Sequence, residues 1–352
     1  MNQLYLADRE SNDNLFPFTL TRSAADIRIG IFTIREKWQR LLGSAVTTVS
    51  KMEQAPHGAN LLSSSIIPTR TFVRSLFSNG KLSSEPLWSS VRVLQFPWHI
   101  FQWNDWAIRE DFAIMTEGRK SHPLPASVST ICPEQIFVEA GARLSHCIIN
   151  AEAGPVYIGR GAEIMEGCTL RGPSAICEGA VVKMGTRIYG ATTIGPYCTA
   201  GGEIKNSVMF GYSNKGHDGY LGDSVIGEWC NLGAGTSNSN VKNNAGFIRM
   251  YNHAQGEYVD TGLLKCGLIM GDYSRAAVNT SFNTGTVAGV SANIFGSGLT
   301  PKYIPSFSWG IDGITRYTFE KAIDDIGKWK KLKGHSLNED EKNLLKLIFD
   351  QI

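Results

Sequence analysis

The sequence contains no run of about 18 apolar residues, so no helix is expected to cross a membrane. Its opening, MNQLYLADRESNDN, mixes acids and bases where a secretory signal needs an apolar stretch. Seven cysteines form no CxxC pair, and neither Cys nor His clusters at zinc-ligand spacing, so no metal site is expected. Without an export signal, Cys132, Cys147, Cys168, Cys177, Cys198, Cys230 and Cys266 read as reduced thiols of a cytoplasmic protein, in core or stacking positions. Net charge is scarce as well. At +2 over 352 residues there is no reason to expect nucleic acid or an anionic membrane as a partner.

Glycine is abundant, with 37 residues, most of them beyond Gly141. They accompany a repeat. Ile158, Ile164, Leu170, Ile176, Val182, Ile188 and Ile194 recur every six residues, preceded by small residues and followed by glycine or proline. A period of six fits no helix face, but it suits a short strand plus a turn wound into a parallel β-helix. The aliphatic residue points inward and the glycine makes the bend. The phase is lost after Ala200, returns shifted at Ile226 and Leu232, and resumes around Met270, Ala276, Phe282, Ala288 and Ile294. Inside the gap lies NKGHDGYLGD (214–223), which reads as a segment leaving the helix to present His217.

The first 112 residues carry no hexads and hold five of the eight tryptophans. Residues 121–135 are rich in Pro and Ser and read as a linker or first coil. Ser336 and Glu339 form a capping-box pattern opening a helix to about Phe349. That tail is expected on the outside of the β-helix or on a neighbouring subunit.

Four ordered stretches, GGEIK (201–205), KGHDGYLGD (215–223), IGEWCNLGAGT (226–236) and NSN (238–240), resemble the acetyltransferase half of the bacterial bifunctional enzyme that makes UDP-N-acetylglucosamine. The resemblance covers roughly residues 130–300. The whole chain looks most like a GlmU-like sugar nucleotidyltransferase family, whose N-terminal signature it matches from Leu15 to Trp38. The expected fold class is mixed. A truncated nucleotidyltransferase-like α/β domain (1–115) and a linker (116–135) precede a left-handed β-helix of hexapeptide repeats (136–310) and a C-terminal helical tail (311–352).

The resemblance implies an acetyl-CoA-dependent N-acetyltransferase acting on an amino-sugar 1-phosphate, assembled as a homotrimer. It makes His217 the general base and Tyr220 a sugar-phosphate contact. Asn231 and Asn240 then line the sugar pocket, Arg187 and Lys205 bind phosphate, and Arg275 and Lys302 are candidate contacts for the CoA pyrophosphate. A tyrosine that the family keeps after the second asparagine is Val241 here, which leaves the sugar open.

In the N-terminal half the glycine-rich phosphate loop of nucleotidyltransferases is replaced by ADRESNDN (7–14), which has no glycine. A degraded or regulatory domain is the first reading. An active uridylyl- or thymidylyltransferase, alone or bifunctional, is the alternative; it would use Arg9, Arg22, Arg28 and Lys37 on phosphates and require Mg²⁺ near Asp8. A non-catalytic nucleotide-sugar sensor is a third.

The residues can also be read by chemistry alone. Three hexads make one coil, so Arg187 and Lys205, 18 residues apart, should stack roughly 4.8 Å from each other. Two such cations repel unless a phosphate lies over them or Glu203 neutralises them. Histidine titrates near pH 6.5, so His217 suits proton acceptance from an attacking amine, with glycine-corner N–H groups as oxyanion donors. Asp218 or Asn240 is positioned to orient it.

Overall fold

A computed structural model describes residues 4–8, 10–50, 54–57, 59–78, 81–83 and 85–352; Arg9 lies outside them. The hexads do form a parallel β-solenoid, with strands stacked into three sheets of six, nine and eight. Register pairs Ser129 with Ile148 at one end and Ala288 with Ile304 at the other. Inward residues such as Ile164, Val182, Ile188, Ile226, Met270 and Ile294 are fully buried in one continuous core. Burying each such side chain contributes about 1.5–3 kcal/mol.

The solenoid does not stop where the six-residue phase is lost. Its coils shorten instead. Val181 pairs with Thr199, 18 residues on, but Arg187 pairs with Glu203, only 16 on, and Thr199 with Asn214, 15 on. The corner Gly201-Gly202 spans two residues where the coil before it uses 183–186. What leaves the solenoid is a later excursion, residues 239–267, carrying the antiparallel hairpin Arg249–Asn252 and Glu257–Asp260.

The N-terminal region has a three-stranded parallel sheet, Leu4–Ala7 between Thr47–Val49 and Asn60–Ser63. Its helices are α1 (Ile34–Leu42), α2 (Arg70–Leu76), α3 (Trp98–Gln102) and α4 (Asn104–Thr116). This region lies against the nine-stranded face. Its Ile31, Phe32, Ile108 and Met115 pack on Phe137, Tyr157, Ala175 and Ala191, and its Phe18 on Phe210. Asn104 Nδ2 donates to the Ala191 carbonyl at 2.8 Å, and Thr193 Oγ1 to that of Gly30 at 2.9 Å. The excursion adds a clasp, with Asn252 Nδ2 donating to Asn14 Oδ1 at 3.0 Å and His253 stacked on Phe16.

Helices α5 (Phe319–Lys331) and α6 (Glu339–Asp350) fold back on their own solenoid, over Tyr273, Val290 and Phe307. His335 meets the stacked rings of Tyr212 and Trp229 edge-on. The capping box lies two residues later than the sequence pattern placed it. Asn338 Oδ1 accepts from the Glu341 N–H at 2.8 Å, and Glu341 accepts from the Asn338 N–H at 3.1 Å. Asparagine caps as well as serine, and Leu337 packs into the tail's core before the helix begins. No described helix is long and apolar enough to cross a membrane.

Candidate functional site

Domain and tail leave the six-stranded face uncovered, and most of the proposed site lies on it. Its strands alternate. Ile188, Ile204 and Leu221 point inward, and the residues on either side point out. One outward row reads Arg187, Glu203, Tyr220; the next reads Tyr189, Lys205, Gly222. Arg187 and Lys205 therefore do not stack. The two-residue corner moves Lys205 one row across, beside Tyr189, and puts Glu203 next to Arg187.

Glu203 is the hub of this surface. Its carboxylate lies 3.7 Å from Arg187 Nη2 and accepts from Tyr189 OH at 2.6 Å. Lys205 Nζ sits 5.8 Å from the centre of the Tyr189 ring, with no carboxylate within ion-pair distance among the described residues. Tyr220 OH accepts from Asn240 Nδ2 at 3.1 Å, and the same amide donates to Asp223. Asp223 is buried in a left-handed conformation, φ +48°, and also accepts from Asn206 Nδ2 at 2.6 Å. Burial and the nearby Asp223 push the Tyr220 phenol up to about 12, so it stays protonated. Sequence reasoning passed over Tyr189, Asn206 and Asp223. The GD ending of the quoted stretch was the available signal.

Gly222 is small for a stated reason. A Cβ there would lie 2.2 Å from Tyr220 OH, so the phenol lies across the glycine to reach Asn240. Replacing it should dislodge the ring. We expect Gly222→Ala to break the hydrogen bond between Tyr220 OH and Asn240, which a crystal structure of the variant would check.

His217 is exposed, at the corner that feeds the Tyr220 strand. It does not leave the solenoid. Asn214–Lys215 and Tyr220–Gly222 are both ladder strands, joined by the four-residue corner 216–219. That corner stacks on the two-residue corner Gly201-Gly202, so it must overhang. Among the described contacts the imidazole is hydrogen-bonded to neither Asp218 nor Asn240.

The remaining candidates lie elsewhere. Asn231 and Arg275 are neighbours on the eight-stranded face, in the row Asn214, Asn231, Arg275, Asn293. Arg275 is buried beneath α5, its guanidinium 5.3 Å from the centre of the Trp329 ring. Lys302 sits at the far end of the nine-stranded face, where burial and the charges of Lys242 and Arg249 lower its pKa. Arg22 and Arg28 join the N-terminal region to the solenoid. Arg22 pairs with Asp272 and lies 3.0 Å from Glu228; Arg28 Nε donates to the Phe210 carbonyl at 3.1 Å. Lys37 is buried against Asp111.

A family model described as sugar nucleotidyl transferase matches residues 4–75. The bifunctional protein GlmU of Synechococcus elongatus is 22% identical over 219 residues, covering 56% of this chain and 44% of that protein. That of Rippkaea orientalis is 30% identical over 148 residues, covering 36% and 33%. The chain is GlmU-like. A bifunctional sugar-1-phosphate nucleotidylyltransferase/acetyltransferase of Sulfurisphaera tokodaii is 32% identical over 93 residues, 26% of the GlmU-like chain and 23% of that protein. The chain spans less than half the length of each of these relatives. Among solved structures, the UDP-N-acetylglucosamine acyltransferase of Francisella novicida covers 65% of the chain and 84% of its own. At 13% identity and a TM-score of 0.30, that likeness decides nothing further.

Proposed function

We propose that this GlmU-like chain is an acetyl-CoA-dependent N-acetyltransferase acting on an amino-sugar 1-phosphate of the glucosamine type. The observation that carries the reading is one juxtaposition. Arg187, Lys205 and Tyr220 share the uncovered face, Asn240 reaches it from the excursion through Tyr220 OH, and His217 stands at the corner where the Tyr220 strand begins. Arg187 and Lys205 supply the positive charge for the phosphate from adjacent outward rows, with Arg187 also facing Glu203. Tyr220 and Asn240 offer hydrogen bonds to sugar hydroxyls.

His217 accepts a proton from the amine as its nitrogen attacks the thioester carbonyl. The C–N bond forms, the C–S bond breaks, and the coenzyme thiol leaves with the proton returned by the imidazolium. Asn231, Arg275 and Lys302 stand apart from this cluster within one chain, so none is given a step. Self-association as a trimer, which light scattering would read, is left to the uncovered face, where Ile131 and Ile148 are exposed.

The test is release of free thiol from acetyl-CoA in the presence of glucosamine 1-phosphate. Arg187→Ala and Lys205→Ala should each raise the acceptor KM about tenfold with kcat nearly unchanged. No thiol release from the wild type with any amino-sugar phosphate would sink the reading.

Nucleotidyl transfer is the second reading, favoured by the family model over residues 4–75. Its metal does not fit well. Asp8 Oδ1 accepts from Ser23 Oγ, the Ala24 N–H and Ser64 Oγ. No group of three His, Cys, Asp or Glu side chains gathers to hold a metal ion among the described residues. A cavity of about 450 Å³ lies beside Asn14, Ser63, Ser65, Trp88 and Phe96, and no charged side chain is among its described lining. Incorporation of a labelled nucleotide into a sugar 1-phosphate would decide for this reading.

A further inference from the structure

Lys215 occupies an inward position. In its row of the eight-stranded face, Val182, Ala200, Leu232, Ala276 and Ile294 fill the core, and Lys215 stands among them. Its side chain is fully buried. A charge here is costly, and burial pushes the ammonium down to about 8, with Asp218 the one described group whose charge opposes the shift. Every other residue of this row shows that an aliphatic side chain would do for packing.

The ammonium has three N–H donors and meets three carbonyls. Nζ donates to Gly201 at 3.3 Å, to Asp218 at 3.2 Å, and to His217. One acceptor belongs to the short corner below, and two belong to the corner that carries the candidate base. Glycine makes the two corners touch. A Cβ on Gly202 would lie 2.8 Å from the carbonyls of both His217 and Gly219, and one on Gly201 would lie 2.5 Å from the Gly216 carbonyl carbon. The lower corner, being two glycines, thus offers no side chain to hold the overhanging one.

We propose that Lys215 is a positioning residue for His217, clamping its corner from inside the solenoid. The proposal rests on acetyl transfer only for its kinetic consequence. The clamp itself is a property of the ligand-free chain. Asp218 and Gly219 carbonyls accept from the N–H groups of Gly235 and Glu203, at 3.0 and 3.1 Å, so those two amides report how firmly the corner is held.

The test compares Lys215→Met with the parent as full chains. Methionine keeps the length and removes the three donors. Exchange of the Glu203 and Gly235 amides should become about tenfold faster. The melting temperature should not fall, because removing a buried charge offsets the lost hydrogen bonds. In the thiol-release assay kcat should drop about 100-fold with the acceptor KM within about twofold, as expected for a misplaced catalytic group. Unchanged exchange, or a variant with parental kcat, would overturn the proposal. A wild type that releases no thiol while the variant shows the loosened amides would remove acetyl transfer and leave the clamp. The reverse pattern would remove the clamp and leave the reaction.

Discussion

Replacing His217 by alanine is expected to lower thiol release from acetyl-CoA by about 10²–10⁴-fold, the range for losing a general base. Stability should stay within ~0.5 kcal/mol, because the imidazole is exposed and no hydrogen bond from it occurs among the described contacts. This pairing of effects is the diagnostic. A structural histidine would lose stability and activity together. The acceptor KM should hardly move, since Arg187, Lys205, Tyr220 and Asn240 remain in place. An alanine variant with full turnover would remove His217 as the base while leaving acetyl transfer itself standing.

The largest effect on stability is expected at Asp111. Its carboxylate is buried in α4, where it accepts from Lys37 and from the N–H groups of Ile31 and Phe32, at 2.7 and 3.3 Å. Burial raises the pKa of Asp111 and lowers that of Lys37, against the mutual attraction of the pair. Asp111→Ala would strand the ammonium of Lys37 in an apolar interior, at about 3–5 kcal/mol. The double variant Lys37→Met/Asp111→Asn should recover much of this, since the amide oxygen still serves the two N–H groups. Denaturant unfolding of parent, single and double variants checks both statements. A single variant within ~1 kcal/mol of the parent would mean the pair does not anchor the domain.

The solenoid was legible from residue 156 to residue 200 because every coil there has the same length and one aliphatic residue marks each strand. Past Ala200 the same inward stack continues through Ile204, Met209 and Leu221, but shortened corners erase the period. Periodicity reports equal coil length, not the presence of coils. The covered face also left a trace that went unread. IFV (136–138), VYI (156–158), VMF (208–210) and LIM (268–270) are unbroken apolar runs, as strands buried on both sides must be. RIY (187–189) and EIK (203–205) alternate, as strands with one wet side do. The motif residues His217, Tyr220 and Asn240 could be placed by resemblance. Lys215 could not be told from a surface lysine, because whether it points inward depends on a register that the lost phase conceals. Arg22 and Arg28 looked like phosphate contacts, yet their partners are Asp272 and the Phe210 carbonyl, far along the chain.

Those distant partners affect how the molecule is made. Arg22 waits for Asp272, 250 residues downstream, and Gly30 for Thr193, 163 downstream. At about 5–20 residues per second a ribosome needs about 10–50 s to deliver the longer of these. Until the coils that carry Phe137 to Phe210 are made, Phe18, Ile31 and Ile108 have no solenoid to cover them. The portion translated first is therefore completed late, and a nascent chain stalled before Phe210 would show its apolar face to chaperones and to other copies of itself.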